Sequence, residues 1–230
     1  IVDSIEDDRS IDWKTREALF DAFDGALGSD RSDLLNLERH ARKATLGEND
    51  AERKLTAGAS GVFRAYRRLP RVQREAIRPH ILEMSVGMRE YAARTEGRGA
   101  FAIDDVADLE RYCYYVAGTV GLLLTELFEL EVPELGAEAR QIIHDHAVAF
   151  GLGLQLVNIA KDVADDAERG ICFLPADRAE ARGLDLAEIL DPGQRQRGVQ
   201  VDQVVVGERL AAEHLGRGHA GLVGALATVE

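Results

Sequence analysis

The sequence predicts an all-α protein, and two observations carry that prediction. Apolar residues recur every three or four positions through almost all of the 230-residue chain, which is the spacing of one helix face. The alternating pattern of strands is nearly missing from the sequence, and the β-branched run VQVDQVVV at 199–206 is the one stretch that could be misread as a strand. We therefore expect one domain of long antiparallel helices that form a bundle around a central cavity.

Glycine and proline clusters divide the chain into its helices. They fall at 28–30, 69–70, 97–99, 132–133, 174–175 and 191–193, where a helix is expected to end. The apolar periodicity between them predicts helices over 13–27, 33–46, 50–68, 71–95, 104–130, 134–167, 176–190 and 199–228. Several are longer than an average globular helix, which favours a large bundle.

Charge and cysteine content exclude some classes of function. The net charge of −13, from 41 acidic and 28 basic residues, argues against a nucleic-acid partner. Cys113 and Cys172 lie in apolar surroundings and predict neither a disulfide framework nor a zinc site, so we expect a cytoplasmic protein. The longest apolar run, 116–124, is too short to span a bilayer. Peripheral contact with a membrane and the oligomeric state are left open.

A polar stripe runs along the predicted helix at 134–167. At about 100° per residue, Gln155, Asn158, Asp162 and Asp166 fall within about 80° of one another. The flanking residues are apolar: Leu152, Leu154, Leu156, Val157, Ile159 and Val163. We therefore expect this helix to be packed inside the protein with the stripe facing the interior. Buried carboxylates would need basic partners or a divalent cation.

A second acidic pair favours the cation. Asp3 and Asp7 have the same D-x-x-x-D spacing as Asp162 and Asp166, so each pair lies on one helix face. Two such pairs on facing helices would suit Mg²⁺, which binds a few carboxylates together with water and phosphate oxygens. The spacing therefore indicates a site that activates a diphosphate leaving group. The alternative is two ordinary solvent-exposed helix ends.

A third candidate segment is RYCYYVAGTVGLLL at 111–124. Gly118 and Gly121 would let another helix, or a long flat substrate, approach the backbone closely. Tyr112 and Tyr115 line one face of the same predicted helix. We expect substrate contacts at Tyr115 and Gly118, and a tight helix crossing with packed tyrosines is the alternative.

These segments resemble a known family. YCYYVAGTVG and LQLVNIAKDVADDAERGICFLP resemble the two signature segments of the squalene and phytoene synthases, and VDSIEDD resembles the first aspartate-rich motif of that family. The resemblance runs from residue 1 to about residue 190. It implies an isoprenoid (terpenoid) synthase helical bundle that condenses two prenyl diphosphates head to head with the help of Mg²⁺.

The resemblance also implies roles for individual residues. The implied metal ligands are Asp3, Asp7, Asn158, Asp162 and Asp166. The same four aspartates and Tyr112, which matches a tyrosine at the reacting centre, are the implied catalytic residues. The implied substrate contacts are Gln155, Asn158, Lys161 and Arg169. Lys161 stands where the family usually has arginine, so the charge is kept and the bidentate fork is lost.

The residues of two motifs favour the squalene branch. VDSIEDD and EMSVGMREYA at 83–92 resemble squalene synthases more than phytoene synthases. This implies that two farnesyl diphosphates form a cyclopropyl diphosphate, which is then reduced to squalene with NADPH. The alternatives are a phytoene or dehydrosqualene synthase, which needs no NADPH, and a non-catalytic relative that acts as an assembly factor. Because the family has a helix before the first motif and further helices at its C-terminal end, we expect 1–230 to be a fragment of a single domain.

Overall fold

The computed structural model describes residues 1–28, 31–47, 49–98 and 103–181. Every regular element within these ranges is a helix, as the periodicity predicts. In chain order the helices are α1 (Val2–Asp7), α2 (Trp13–Leu27), α3 (Arg31–Ala44), α4 (Asp50–Ala57), α5 (Ala59–Arg68), α6 (Arg71–Arg98), α7 (Val106–Cys113), α8 (Thr119–Glu131), α9 (Ala137–Glu168) and α10 (Ala176–Glu180). A π-helical segment, Tyr114–Gly118, joins α7 to α8.

Polar side chains fix where three of these helices begin. Asp12 accepts a hydrogen bond from the Thr15 N–H at the start of α2. Asn49 and Asp105 cap α4 and α7 in the same way. Each side chain satisfies backbone N–H groups that have no partner within the helix, so these starts are encoded locally.

Three predicted helices differ from the observed ones. The predicted helix at 50–68 is interrupted at Gly58, whose N–H bonds back to the carbonyls of Lys54 and Leu55 and so ends α4. The predicted helix at 104–130 contains the π segment. Helix α10 ends at Glu180, and the predicted helix at 199–228 lies outside the described residues.

The larger hydrophobic core joins α1, α2, α3, α5 and α6. Ile5 of α1 and Leu19 and Phe20 of α2 are fully buried in it. Phe23 and Phe63 meet edge to face, with their ring centroids 5.9 Å apart. Burial of Ile5 therefore attaches the short helix α1, which carries the first acidic pair, to the body of the protein.

A second core cluster lies where α6, α7 and α9 meet. Its buried members include Tyr91, Leu109, Tyr112 and Ile159. Phe173, which follows α9, packs against the same cluster. This cluster connects the predicted reacting-centre tyrosine to both the long helix α9 and the chain that follows it.

Helices α8 and α9 cross at very short range. A Cβ atom on Gly121 would overlap the backbone carbonyl of Ala147, and one on Gly151 would overlap the carbonyl of Ala117. Only glycine permits backbones to approach this closely. The small residues of 111–124 therefore form a tight helix crossing, which is the alternative that the sequence left open.

Helix α9 is less enclosed than the sequence predicts. Ile159 is buried, but Leu154 and Val157 are 52% and 37% exposed. The expectation that all six apolar neighbours of the polar stripe are packed inside is therefore wrong for the described part of the chain. Helix α9 packs mainly against α7, the π segment and α8.

Two stretches of the described chain are long and apolar enough to cross a membrane by length and composition alone. They are Val106–Glu131 and Ala137–Val163, and only about a fifth of each is buried. The apolar run at 116–124 thus lies within a helical stretch that is long enough to cross a bilayer, although the run itself is not. Core helices of soluble proteins can have the same length and composition.

The helix crossing yields a stability prediction from two glycines of α9. Gly151→Ala should lower the free energy of unfolding by about 1–3 kcal/mol, because the added methyl group overlaps the Ala117 carbonyl. Gly153→Ala is the matched control, since nothing lies within 4 Å of a Cβ atom there. The control should raise the free energy of unfolding by about 0.5–1 kcal/mol through helix propensity. Urea unfolding of both variants measures the difference, and equal effects would contradict the close crossing.

Candidate functional site

The first acidic pair lies on the short helix α1. Asp3 is exposed and Asp7 is half-buried. Glu6, on the same helix, is 9% exposed, and burial followed by the charges of Asp7 and Asp3 raises its pKa well above the usual value. Glu6 therefore lies in the field of two neighbouring aspartates, and a cation bound beside them would offset their negative charge.

Tyr112 lies beside this acidic helix and inside an aromatic cluster. Its ring stacks on Phe173 with centroids 4.8 Å apart and meets Tyr91 edge to face at 4.9 Å. Burial, followed by the charges of Glu6, Asp7 and Asp3, raises the pKa of the Tyr112 hydroxyl well above its usual value. The hydroxyl therefore keeps its proton at neutral pH and lies in the field of the α1 carboxylates.

The second acidic pair lies near the C-terminal end of α9. Asp162 is partly exposed, whereas Asp166 is 8% exposed. Each has a basic neighbour on the same stretch of chain: Lys161 Nζ lies 3.5 Å from Asp162 Oδ1, and Arg169 Nη1 lies 3.7 Å from Asp166 Oδ1. The pair thus combines negative groups for a cation with positive groups for an anion.

Exposure varies along the polar stripe of α9. Asn158 is exposed and Gln155 is half-buried, while Asp166 is buried. The expected inward-facing stripe is therefore correct at Asp166 and wrong at Asn158, as far as the described residues show. Gln155 and Asn158 remain predicted substrate and metal contacts.

Tyr115 and Gly118 lie in the π segment. Tyr115 packs over Gly87 of α6, where a Cβ atom would overlap its ring. A Cβ atom on Gly118 would lie 3.2 Å from Leu152 and 3.4 Å from Val148 of α9. Gly118 is therefore buried in a helix contact, and its contact with substrate stays a prediction.

The turn after α9 is attached to the end of α1. Gly170 has a positive φ of 73°, a conformation that favours glycine, and the Ile171 N–H bonds to the Asp166 carbonyl at 2.9 Å. Arg9 Nη1 donates to the Gly170 carbonyl at 3.1 Å. Arg9, which follows the first acidic pair, thus holds the turn at Gly170, which follows the second acidic pair.

Ile171 and Phe173 line two small clefts. One cleft also contains Asp166, and the other contains Glu6 and Asp7. A residue from each acidic pair therefore lies beside the same short segment of chain.

The carboxylate pairs fit Mg²⁺ in donor chemistry. Mg²⁺ is bound by one or two carboxylates, with water and phosphate oxygens completing its octahedral shell. Asp3 and Asp7 can supply such a pair, because they lie one turn apart on the same face of α1. Among the described residues no three histidine, cysteine, aspartate or glutamate side chains converge as a metal-binding group. The remaining ligands would thus be water or substrate oxygens.

A buried ionic network, which the sequence analysis did not identify, supports the aromatic cluster. Asp108 accepts hydrogen bonds from the Tyr91 hydroxyl at 2.8 Å, Arg94 Nη1 at 2.8 Å and Arg111 Nη2 at 2.6 Å. The Asp104 N–H donates to the same carboxylate at 3.0 Å. Burial opposes ionisation of Asp108, but these bonds outweigh it and lower its pKa to about 2. The network holds the ring of Tyr91, which contacts Tyr112.

The Asp108 network yields a pH-dependent stability prediction. Asp108→Asn should lower the free energy of unfolding at pH 7 by about 2 kcal/mol, because hydrogen bonds to a charged carboxylate are lost. The pKa of Asp108 is lower in the folded protein than in the unfolded chain. The greater stability of the wild type is therefore fully present above the unfolded pKa of about 3.9. It should then be lost as pH falls through about 2. Urea unfolding between pH 7 and about pH 2 measures this change.

Asp50→Asn is the control for that experiment. Asp50 is 90% exposed and forms an ion pair with Arg53 at 3.2 Å. Because exposed pairs contribute little, its effect should stay below about 1 kcal/mol. An equally small effect of Asp108→Asn would contradict a stabilising role for the network.

The squalene/phytoene synthase family model matches residues 1–225. Phytoene synthase 3 of Zea mays is 43% identical over 84 residues, which cover 36% of this chain and 19% of that protein. Squalene synthase of Schizosaccharomyces pombe is 34% identical over 134 residues, covering 56% of this chain and 28% of that protein. Phytoene synthase of Thermus thermophilus is 34% identical over 166 residues, covering 66% of this chain and 53% of that protein.

A solved structure shows the same fold. The complex of TcSQS with a ligand superposes with a TM-score of 0.54 and 26% identity, covering 82% of this chain and 58% of that one. The match confirms the predicted all-α isoprenoid synthase bundle. The chain spans about half or less of the length of the curated relatives described above. The expectation that it is a fragment of one domain stays a prediction.

Proposed function

The chain belongs to the squalene/phytoene synthase family, and we propose from this premise that it condenses two farnesyl diphosphates head to head into squalene. The reaction passes through a cyclopropyl diphosphate, whose rearranged product is reduced by NADPH. The observation that carries the proposal is that a residue of each D-x-x-x-D pair, Asp7 and Asp166, lies beside the same segment at 171–173.

The two acidic pairs are proposed to bind the diphosphate ends of the substrates. Asp3 and Asp7 on α1 and Asp162 and Asp166 on α9 would hold Mg²⁺, together with Asn158. When bound, Mg²⁺ supplies positive charge that stabilises the departing diphosphate. The carboxylates fix the position of that charge, because each pair is spaced one helix turn apart.

Basic residues complete the proposed diphosphate site. Lys161 Nζ is 3.5 Å from Asp162, and Arg169 Nη1 is 3.7 Å from Asp166. Both cations would stabilise negative charge as the bond between carbon and diphosphate oxygen breaks. Gln155, one turn before Asn158 on the same face, would donate hydrogen bonds to the same group.

An exposed apolar strip on α9 is proposed to bind the prenyl chains. Phe150, Leu154 and Val157 are 63%, 52% and 37% exposed. On a helix they lie about 40–100° from Asn158, so the apolar strip borders the polar stripe. A prenyl diphosphate has the same arrangement of an apolar chain beside a charged end. Its hydrocarbon products leave into a bilayer, so the proposal includes peripheral membrane contact by a cytoplasmic protein.

The aromatic cluster is proposed to stabilise the allylic cation. Tyr112 lies between Tyr91 and Phe173, and aromatic faces attract positive charge. Because the Tyr112 pKa is raised well above its usual value, its hydroxyl stays protonated and can donate a hydrogen bond to the departing diphosphate. Exclusion of water by these rings would protect the cation from hydrolysis. Tyr115, which packs against α6, would border this cluster.

The NADPH step is proposed from the family branch alone. Gly151 and Gly153 lie inside α9 and not at a turn between a strand and a helix, so they do not form a dinucleotide-binding loop. We assign no residue to the reduction.

The second candidate is a phytoene or dehydrosqualene synthase. Matching relatives include phytoene synthases at 43% and 34% identity, so the family alone leaves both branches open. These enzymes share the condensation and omit the reduction. The non-catalytic alternative has less support, because both acidic pairs are intact.

Product analysis distinguishes these candidates. The purified chain, and any longer natural polypeptide that contains it, is incubated with Mg²⁺ and farnesyl or geranylgeranyl diphosphate, with and without NADPH. We expect squalene only when farnesyl diphosphate and NADPH are both present, as detected by mass spectrometry. Dehydrosqualene irrespective of NADPH, or product from geranylgeranyl diphosphate alone, would identify the carotenoid branch. A folded protein without turnover would support the non-catalytic relative.

A pair of aspartates on α9 tests the second acidic motif. Asp162→Asn should lower kcat about 100-fold, because charge stabilisation of the departing diphosphate is lost. Asp145→Asn is the matched control, since Asp145 is exposed on the same helix and lies more than four turns before Asp162, outside the stripe. Its kcat should match the wild-type value. Equal losses in both variants would contradict the assignment of the stripe.

A further inference from the structure

Helix α1 depends on the rest of the protein for its orientation. It has six residues, from Val2 to Asp7, and no side chain caps its N-terminus. A helix this short is not stable by itself, because nucleation is unfavourable. The directions of Asp3 and Asp7 are therefore set by whatever holds the two ends of α1.

A buried arginine holds the C-terminal end. Arg16 of α2 is 0% exposed, and its Nη2 donates to the backbone carbonyl of Asp8 at 2.7 Å. Its Nη1 lies 3.4 Å from Glu96 Oε1 on α6. One guanidinium thus connects the residue that follows Asp7 to both α2 and α6.

The side chain of Asp8 provides a second attachment. One oxygen accepts from the Gly47 N–H at 3.2 Å, and the other accepts from the Ser10 N–H at 3.0 Å. Asp8 ends α1 in an extended conformation, with φ −72° and ψ 95°. Asp8, the residue after Asp7, is therefore held at two points. Arg16 binds its backbone carbonyl, and the Gly47 N–H binds its side chain.

Arg16 is poorly explained as a stabilising residue. Its Nε and Nη1 atoms are buried and have no hydrogen-bond partner among the described residues, and the Glu96 ion pair lacks hydrogen-bond geometry. A fully buried guanidinium with unpaired donors is expensive, and an apolar side chain in its place is often more stable. The strong bond that it does make is to the end of α1.

We propose that Arg16 is a positioning residue for the first acidic pair, which holds α1 so that Asp3 and Asp7 can bind a divalent cation together. The role rests on the proposed function of that pair. Arg16 acts through the Asp8 carbonyl and touches neither substrate nor metal. Its removal lets the end of α1 move, so the two carboxylates no longer converge even though the fold remains.

A metal titration tests this role without turnover. The full chain is titrated with Mn²⁺ alone, a paramagnetic substitute for Mg²⁺, and free Mn²⁺ is measured by electron paramagnetic resonance. We expect Arg16→Gln to raise the apparent dissociation constant at least about tenfold, equivalent to a loss of about 1.4 kcal/mol of binding free energy. Arg16→Lys keeps the charge and one donor, so its affinity should lie between those of wild type and Arg16→Gln.

Arg89→Gln is the matched control. Arg89 also connects α6 to α2, through Asp21 at 2.8 Å and Asp24 at 3.1 Å, but makes no bond to α1. The Arg89→Gln variant should have a lower melting temperature and the same Mn²⁺ affinity as the wild type. If Arg16→Gln does not fold, Arg16→Lys and Arg89→Lys make the same comparison.

The outcomes separate the two proposals. Wild-type affinity in the Arg16 variants, or equal losses at positions 16 and 89, would overturn the positioning role and leave the acidic pair intact. A wild-type protein that binds no Mn²⁺ would refute the metal-binding pair itself, and the role of Arg16 with it.

Discussion

The close crossing of α8 and α9 is the constraint on which the candidate site depends. Gly121 and Gly151 allow backbone to lie against backbone, and side chains at these positions would push the helices apart. That separation sets how far the polar stripe of α9 lies from Tyr112. The position of the stripe therefore depends on two glycines, which have no side chain. Because glycine loses more conformational entropy on folding than other residues, this close crossing lowers the stability of the protein.

Both acidic motifs are connected through one short piece of chain. Phe173 stacks on Tyr112, lines a cleft with Asp166 and lines another with Asp7. Arg9, which is 161 residues earlier in the chain, donates to the Gly170 carbonyl in the turn that precedes this segment. Because these contacts share one segment, a change at either acidic pair is transmitted to the environment of Tyr112 through packing rather than through charge alone.

Periodicity and helix-breaking residues predicted most of the described helices, because each signal acts within a few residues, but they missed the break at Gly58 and the π segment. They could not predict which side of α9 is covered, since Leu154 and Ile159 look alike in sequence and differ in burial because of distant neighbours. The acidic pairs were found because their spacing repeats. Arg16 and Asp108 were missed because a buried charge is recognised by its partners, which lie elsewhere in the chain.

The π segment Tyr114–Gly118 changes the phase of the chain between two functional positions. In an uninterrupted α-helix, nine residues separate the directions of Tyr112 and Gly121 by about 180°. A π turn absorbs about one extra residue, which reduces the angle to about 80°. Both residues can then face α9 and the chain that follows it. A single-residue deletion here would rotate α8 relative to α7, so the length of this segment is constrained independently of its composition.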